Sequence, residues 1–342
     1  MLSARTKKSL IAVFGVAFGL VCFWLAARNV QLDQAVNMFL TSDKRWVELG
    51  IAIFGVSILF RSLRWQIVLS HVKPVNYVWV AYGLTVGYAI NIILPARLGE
   101  FFRADFTSRI TSFGRSALIG SIMIERVMDL FAIIMFFALG MMLSGAQSAI
   151  LSRVLWAGLG VMCFGILCIG IILWVSSFER IKVRLKQLIM KRISSHAFAA
   201  WLEKVMRDFS EMVQIVRTPR IGFALILTFP IWALEAAAMF AICRAVGLRL
   251  LPDQLMVLLG GASLSTLFPS APGFLGSYQF GYLAVLRNFS VPDTLSLVSA
   301  TAVQIYLMGT YAVVGLALWF ASWMFSMARV RPSAFLPQEK ER

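Results

Sequence analysis

In "IMIERVMDLFAIIMFF", a run otherwise suited to a hydrocarbon core, Glu125 and Asp129 stand four residues apart and so share one face of a helix. Arg126, three residues before Asp129, is close enough to pair with it. In "FRSLRWQIV", Arg61 and Arg64 share a face near one end of a second apolar run. Glu235 lies in the middle of "FPIWALEAAAMFAICRAVGL" with no cation nearby on its own helix. Then comes "NIILPARLGEFFRADF", where Pro95 is followed by Arg97, Gly99, Glu100 and Arg103. An ionisable residue at the centre of a spanning helix costs roughly 2.5–3.5 kcal/mol on insertion scales, so such residues are functional candidates by default.

Two chemistries fit these residues. Guanidinium groups suit bidentate contacts to phosphate, so Arg61, Arg64, Arg97 and Arg103 are candidates to receive a phosphate or another anionic head group. Glu100, Glu125, Asp129 and Glu235 would orient those arginines or take up protons during transport. Alternatively, Glu100, Glu125 or Asp129 would serve as general base in an intramembrane transferase acting on lipid-linked substrates. The structural alternative to both is an Arg126–Asp129 ion pair, with Arg61, Arg64 and Arg103 snorkelling to an interface. One acidic pair without a second acidic cluster is thin support for a magnesium site. His71 and His196 are far apart, and the four cysteines lie in apolar runs without C-x-x-C spacing, so no metal or cofactor is expected. Motifs for covalent chemistry (G-x-S-x-G, H-E-x-x-H, P-loop, dinucleotide fingerprint) do not occur, which makes an enzyme the weaker expectation.

The elements that must hold these groups are membrane helices. Of 342 residues, 60% are hydrophobic and 14% charged, and the mean hydropathy is +0.81, far above that of a soluble domain. Apolar runs near 9–27, 47–69, 116–143, 151–177, 221–247 and 296–327 predict six full spans. The first follows Arg5, Lys7 and Lys8 but has no clean cleavage site, so it reads as a retained span rather than a signal peptide. The net charge of +16 is carried by short basic segments flanking apolar runs, which argues for membrane topology and against nucleic acid. Ten Lys/Arg in 178–220 place that amphipathic segment, and with it both termini, in the cytoplasm.

Two further runs, 78–110 and 253–290, are interrupted by Pro95 with Gly99 and by Pro269, Pro272, Gly273 and Gly276. Each predicts a helix, a break and a second helix. With Pro95 laid over Pro272, Leu98 falls on Leu275 and Gly99 on Gly276. Each broken hairpin has a span before and after it, so 47–143 and 221–327 read as two repeats, inverted by the charge rule, within a single membrane domain. Inverted repeats with discontinuous helices suit a transporter, whose half-helix N-termini hold an anionic group at membrane depth.

"NIILPARLGEFFRA", then "ERVMDL", a mid-span Glu and "PSAPGFLGSYQ" together resemble the lysylphosphatidylglycerol synthase transmembrane family of flippase-like proteins, over roughly residues 10–328. The resemblance implies a polytopic domain proposed to move lipids between leaflets, in some members fused to a soluble aminoacyl transferase, a domain and activity not expected here. It implies functional roles for Pro95, Arg97, Gly99, Glu100, Arg103, Glu125, Arg126, Asp129, Pro272 and Gly276. A Glu often follows the second glycine break in the family; here the nearby polar residue is Gln279. The resulting expectation is an all-α bacterial inner-membrane protein that translocates an anionic phospholipid or polyprenyl-phosphate-linked lipid. Its expected contacts are an anionic lipid head group and membrane lipids, with a second copy of the chain or a lipid-modifying enzyme as further partners. A non-catalytic partner subunit is the remaining alternative.

Overall fold

A computed structural model describes residues 4–28, 30–70, 74–93, 98–111, 113–146, 148–177, 220–267 and 271–329. The first break's Pro95 and Arg97, Pro269 of the second, and the basic segment 178–219 lie outside the described residues. Among those described there are helices and no strand. The chain begins with α1 (Ala4–Ala27), a short α2 (Leu32–Leu40) and α3 (Lys44–Leu69). Next come α4 (Tyr77–Ile93), α5 (Leu98–Ile110), α6 (Arg115–Ser144) and α7 (Ala149–Ser177). After the basic segment follow α8 (Arg220–Ala245), α9 (Pro252–Ser265) and α10 (Ser277–Leu286). The last span joins α11 (Asp293–Val303) to α12 (Gly309–Arg329) through a π turn at Gln304–Met308.

Sequence chemistry accounts for several of these boundaries. Asp43 caps α3 by accepting the Arg45 amide at 3.0 Å, and Pro252 opens α9 where its missing N–H costs nothing. Gly145 ends α6 in the left-handed region, at φ 63°. Both interrupted runs are broken as expected, between α4 and α5 and between α9 and α10, where a 3-10 turn, Pro272–Phe274, intervenes.

Among the described residues five helices are long and apolar enough to cross a membrane: Lys44–Leu69, Arg115–Ser144, Ala149–Ile171, Arg220–Ala245 and Asp293–Met324. Six were expected. The sixth would be α1, a continuous helix over Ala4–Ala27 whose side chains are described only from Val16.

Three antiparallel helix pairs make most of the core. In α3–α8, Gly50 meets Ile242 and Arg64 meets Thr228. In α6–α9, Phe137 meets Gly260 and Gly140 meets Asp253. In α4–α12, Tyr82 meets Ser322 and Tyr88 meets Tyr311. Lipid tails are as apolar as leucine, so such pairs depend on close packing rather than on escape from water. The sequence supplies a glycine where backbones touch: a Cβ on Gly140 would lie 2.7 Å from the Val257 nitrogen, and one on Gly315 2.8 Å from the Thr85 carbonyl. By contrast α7 leaves Trp156, Phe164, Leu167 and Trp174 exposed, as a lipid-facing helix does.

Candidate functional site: a buried network of arginines and carboxylates

Three helix faces converge on the charged residues. On α3 the face carries Ser57, Arg61, Arg64 and Trp65; on α6, Ser121, Glu125 and Asp129; on α8, Thr228, Trp232 and Glu235. Each set follows the three-to-four-residue spacing of a helical stripe, here polar and turned inward. Asp129 is 14 residues from the start of α6 and Glu235 is 15 from the start of α8, about 21 and 22 Å of helix rise. Pro230 within α8 removes a helix hydrogen bond one turn before the Glu235 face.

Asp129 is the hub. One of its oxygens accepts Arg64 Nη1 at 2.7 Å and Trp232 Nε1 at 3.1 Å, and the other lies 3.5 Å from Arg61 Nη1 and 3.9 Å from Arg126 Nη1. Arg64 also donates to Thr228 Oγ1 at 2.9 Å and approaches Glu125 at 3.5 Å. Arg61 sends Nε and Nη2 to one oxygen of Glu235, at 2.9 and 2.5 Å, and lies 5.1 Å from the Trp232 ring centroid. The partner of the mid-helix Glu235 is thus an arginine from another helix. The guanidinium of Arg103 stacks 3.4 Å over Trp65 and pairs with Glu125 at 2.7 Å, while Trp65 donates to Ser121 Oγ at 3.1 Å. At the edge, Arg126 reaches Glu100 at 2.7 Å. Four guanidinium and four carboxylate groups therefore balance one another, which is the condition for burying so many charges at once.

The broken hairpin α4–α5 brings two of these groups, Glu100 and Arg103, to the network. Its arms can approach because Gly99 has no side chain: a Cβ there would sit 2.0 Å from the Gly87 carbonyl. The Gly99 N–H donates to Asn91 Oδ1 at 2.7 Å, so an α4 carboxamide caps the mouth of α5. That amide, expected to face an anion, is already satisfied within the protein.

The second break has the same design. Gly276, at φ 89°, precedes α10, and a Cβ on it would lie 1.8 Å from the Gly19 carbonyl of α1. Its N–H donates to Gln279 Oε1 at 2.7 Å. Gln279 in turn donates to Gln304 in the π turn, which donates to the Gly273 carbonyl at 2.6 Å. Gly276 and Gln279 thus belong to a separate polar chain tying the second break to the last span, and Pro272 opens the 3-10 turn beside it. None of its hydrogen bonds among the described residues reaches the arginines. The two breaks nevertheless adjoin: a Cβ on Gly273 would lie 3.6 Å from the carbonyl of Ile92, just before the first break.

A sequence profile of the lysylphosphatidylglycerol synthase TM region matches residues 12–327. The chain belongs to this family. It is 23% identical over 308 residues to the UPF0104 membrane protein PH1989 of Pyrococcus horikoshii, covering 85% of this chain and 90% of that one. It is 26% identical over 206 residues to the UPF0104 membrane protein MJ1078 of Methanocaldococcus jannaschii, covering 58% and 79%. Both relatives are archaeal. Family membership together with the five long apolar helices makes the chain a multi-pass membrane protein.

In this family member, eight of the expected residues come together: Arg61, Arg64, Glu100, Arg103, Glu125, Arg126, Asp129 and Glu235. Gly99 allows the approach that places two of them. Trp65, Trp232, Thr228, Asn91 and Gln304 were not singled out from the sequence. For three of them a signal was present: Trp65 adjoins Arg64, while Thr228 and Trp232 stand seven and three residues before Glu235, on its face. Asn91 and Gln304 act across breaks, where helical spacing gives no guide.

Proposed function

We propose that this chain moves a lipid with an anionic head group between the leaflets of a membrane, using the arginine–carboxylate network as the polar station. The observation that carries this reading is a cluster of four arginines and four carboxylates, five of them buried, six on spanning helices and two on the hairpin helix α5, where ionisable groups within spans otherwise mark substrate or ion pathways. A structural core of the same stability would be simpler to build from apolar residues.

An inverted repeat accounts for how the station is built. When α3, α4 and α6 are exchanged with α8, α9 and α12, the α3–α8 pair maps onto itself and α6–α9 maps onto α12–α4. The matching helices α3 and α8 run antiparallel, as inversion requires. Gly140 and Gly315 then occupy equivalent contacts, and so do Gly99 and Gly276, each with its N–H on a carboxamide and its α-carbon against another glycine's carbonyl. In this reading the hairpins α4–α5 and α9–α10 are re-entrant, and rocking of one repeat against the other exposes the station to each leaflet in turn. The expected cytoplasmic termini and bacterial inner-membrane location belong to the same proposal.

The test is leaflet exchange. Purified protein is reconstituted into liposomes holding a fluorescent phosphatidylglycerol whose outer-leaflet label is bleached chemically. Bleaching of nearly all the label, against about half in protein-free vesicles, is the expected result. Conversion of the lipid to a new covalent product without exchange would select the transferase reading instead. Neither exchange nor conversion, with the protein recovered in a complex with a lipid-modifying enzyme, would select a partner subunit.

A further inference from the structure

The four arginines are not equivalent. The side chains of Arg61, Arg64 and Arg103 are 6%, 1% and 3% exposed, whereas that of Arg126 is 29% exposed and that of its partner Glu100 is 14%. Arg61, Arg64 and Arg103 are each fastened by a carboxylate at 2.7 Å or less together with an aromatic ring or a hydroxyl. Arg126 is held more loosely. Its near carboxylate, Glu100 at 2.7 Å, is itself partly exposed, and Asp129 is 3.9 Å away. Tyr88 lies beside it, 5.8 Å from the guanidinium to the ring centroid, and Tyr88 itself packs on Tyr311.

From this geometry we infer that Arg126 is the group that receives a phosphate mono- or diester, and that Glu100 is an internal carboxylate which the incoming anion displaces. This deepens the proposed function, since it rests on an anionic ligand entering the same network. Guanidinium accepts phosphate and carboxylate in the same two-pronged geometry, so the two anions compete for one partner. Arg61, Arg64 and Arg103 then shape the site without touching the ligand. The exchange also has a mechanical consequence. Glu100 sits in the first turn of α5, one residue past Gly99, and Glu100–Arg126 is the first of three ion pairs that join α5 to α6 among the described residues, followed by Arg103–Glu125 and Asp105–Arg115. A bound phosphate releases that pair while Arg103–Glu125 and Asp105–Arg115 stay closed, so the mouth of α5 is freed while the rest of the helix stays held. Binding and hairpin movement are thereby linked through one carboxylate.

The test is a binding measurement on the full chain in detergent, by calorimetry, with dihexanoyl phosphatidylglycerol, dihexanoyl phosphatidylcholine and inorganic phosphate as separate probes. Glu100→Gln keeps the shape and removes the competing charge. It is expected to tighten phosphatidylglycerol binding about tenfold, the effect of losing one competing contact of about 1.4 kcal/mol. Arg126→Gln is expected to weaken binding at least tenfold, Arg126→Lys to an intermediate degree, and the Glu100→Gln/Arg126→Gln double variant to behave as Arg126→Gln. Surface variant Arg109→Ala, outside the network, should bind as the parent does. Tight phosphatidylglycerol binding with weak phosphate binding identifies a lipid ligand; the reverse identifies free phosphate. Unchanged or weaker binding of phosphatidylglycerol and of phosphate by a folded Glu100→Gln variant overturns the inference, as does full binding by Arg126→Gln. Binding and exchange fail separately: tightening by Glu100→Gln without leaflet exchange would keep this site and discard the transport reading. Exchange that is indifferent to both residues would do the opposite.

Discussion

Replacing Glu235 by Gln changes one charge and almost no volume, at a place where the geometry fixes what is lost. One oxygen of Glu235 takes both Nε and Nη2 of Arg61, whose side chain is 6% exposed, and no other ion pair of Glu235 occurs among the described residues. Two unit charges about 4 Å apart attract by about 4 kcal/mol at an effective dielectric of about 20. Gln keeps an acceptor for Arg61, and a hydrogen bond to a charged group retains about 1.5–3 kcal/mol of that. The expected loss for Glu235→Gln is therefore about 2 kcal/mol. Glu235→Leu removes the acceptor too and leaves Arg61 with Asp129 at 3.5 Å, which should cost about 3–5 kcal/mol. Arg61→Met combined with Glu235→Leu removes both charges and should recover at least about half of that loss. Unfolding by sodium dodecyl sulfate in mixed micelles, followed by circular dichroism, of these three variants and of Arg61→Met alone gives four values and the coupling between Arg61 and Glu235. If both Glu235 variants fall within about 0.5 kcal/mol of the parent, or if the double variant is the sum of Arg61→Met and Glu235→Leu, mutual charge compensation does not hold the network together.

Other substitutions probe the breaks. Gly99→Ala puts a methyl 2.0 Å from the Gly87 carbonyl, and Gly276→Ala puts one 1.8 Å from the Gly19 carbonyl at a positive φ; each should shift the detergent-solubilised protein toward aggregates on gel filtration, more strongly than Gly160→Ala, which meets nothing within 4 Å. Gln279→Leu deprives both the Gly276 amide and Gln304 of a partner, and should lower stability by about 1–3 kcal/mol in the same unfolding assay. Cysteines at Ile92 and Gly273, in a background without the four native cysteines, should be joined by a short bifunctional thiol reagent, because the two breaks adjoin. A band shift at protease-cleaved fragments reads out the cross-link, and its absence would separate the hairpins.

The helices were legible because membrane crossing imposes a length and an apolarity that composition cannot hide. The breaks were legible too, since proline and glycine inside an apolar run have few other uses. What spacing along one helix could not supply was the partner across the bundle. Asp129 was matched from sequence with Arg126, three residues before it, yet its 2.7 Å partner is Arg64 of α3, and Arg126 turns to Glu100 instead. The charges looked available for a ligand because a sequence shows each alone; packed together, most are already paired. Capping of both broken helices by Asn91 and Gln279 was hidden, because a carboxamide in an apolar run carries no signature of which amide it will meet.

The most direct test of the account is the rate of phosphatidylglycerol exchange across liposomes carrying the parent protein, Arg126→Gln or Arg109→Ala at matched density. The account predicts fast exchange for the parent and for Arg109→Ala, and exchange at least tenfold slower for Arg126→Gln. Equal rates for the parent and Arg126→Gln, or a parent no faster than empty vesicles, would contradict it.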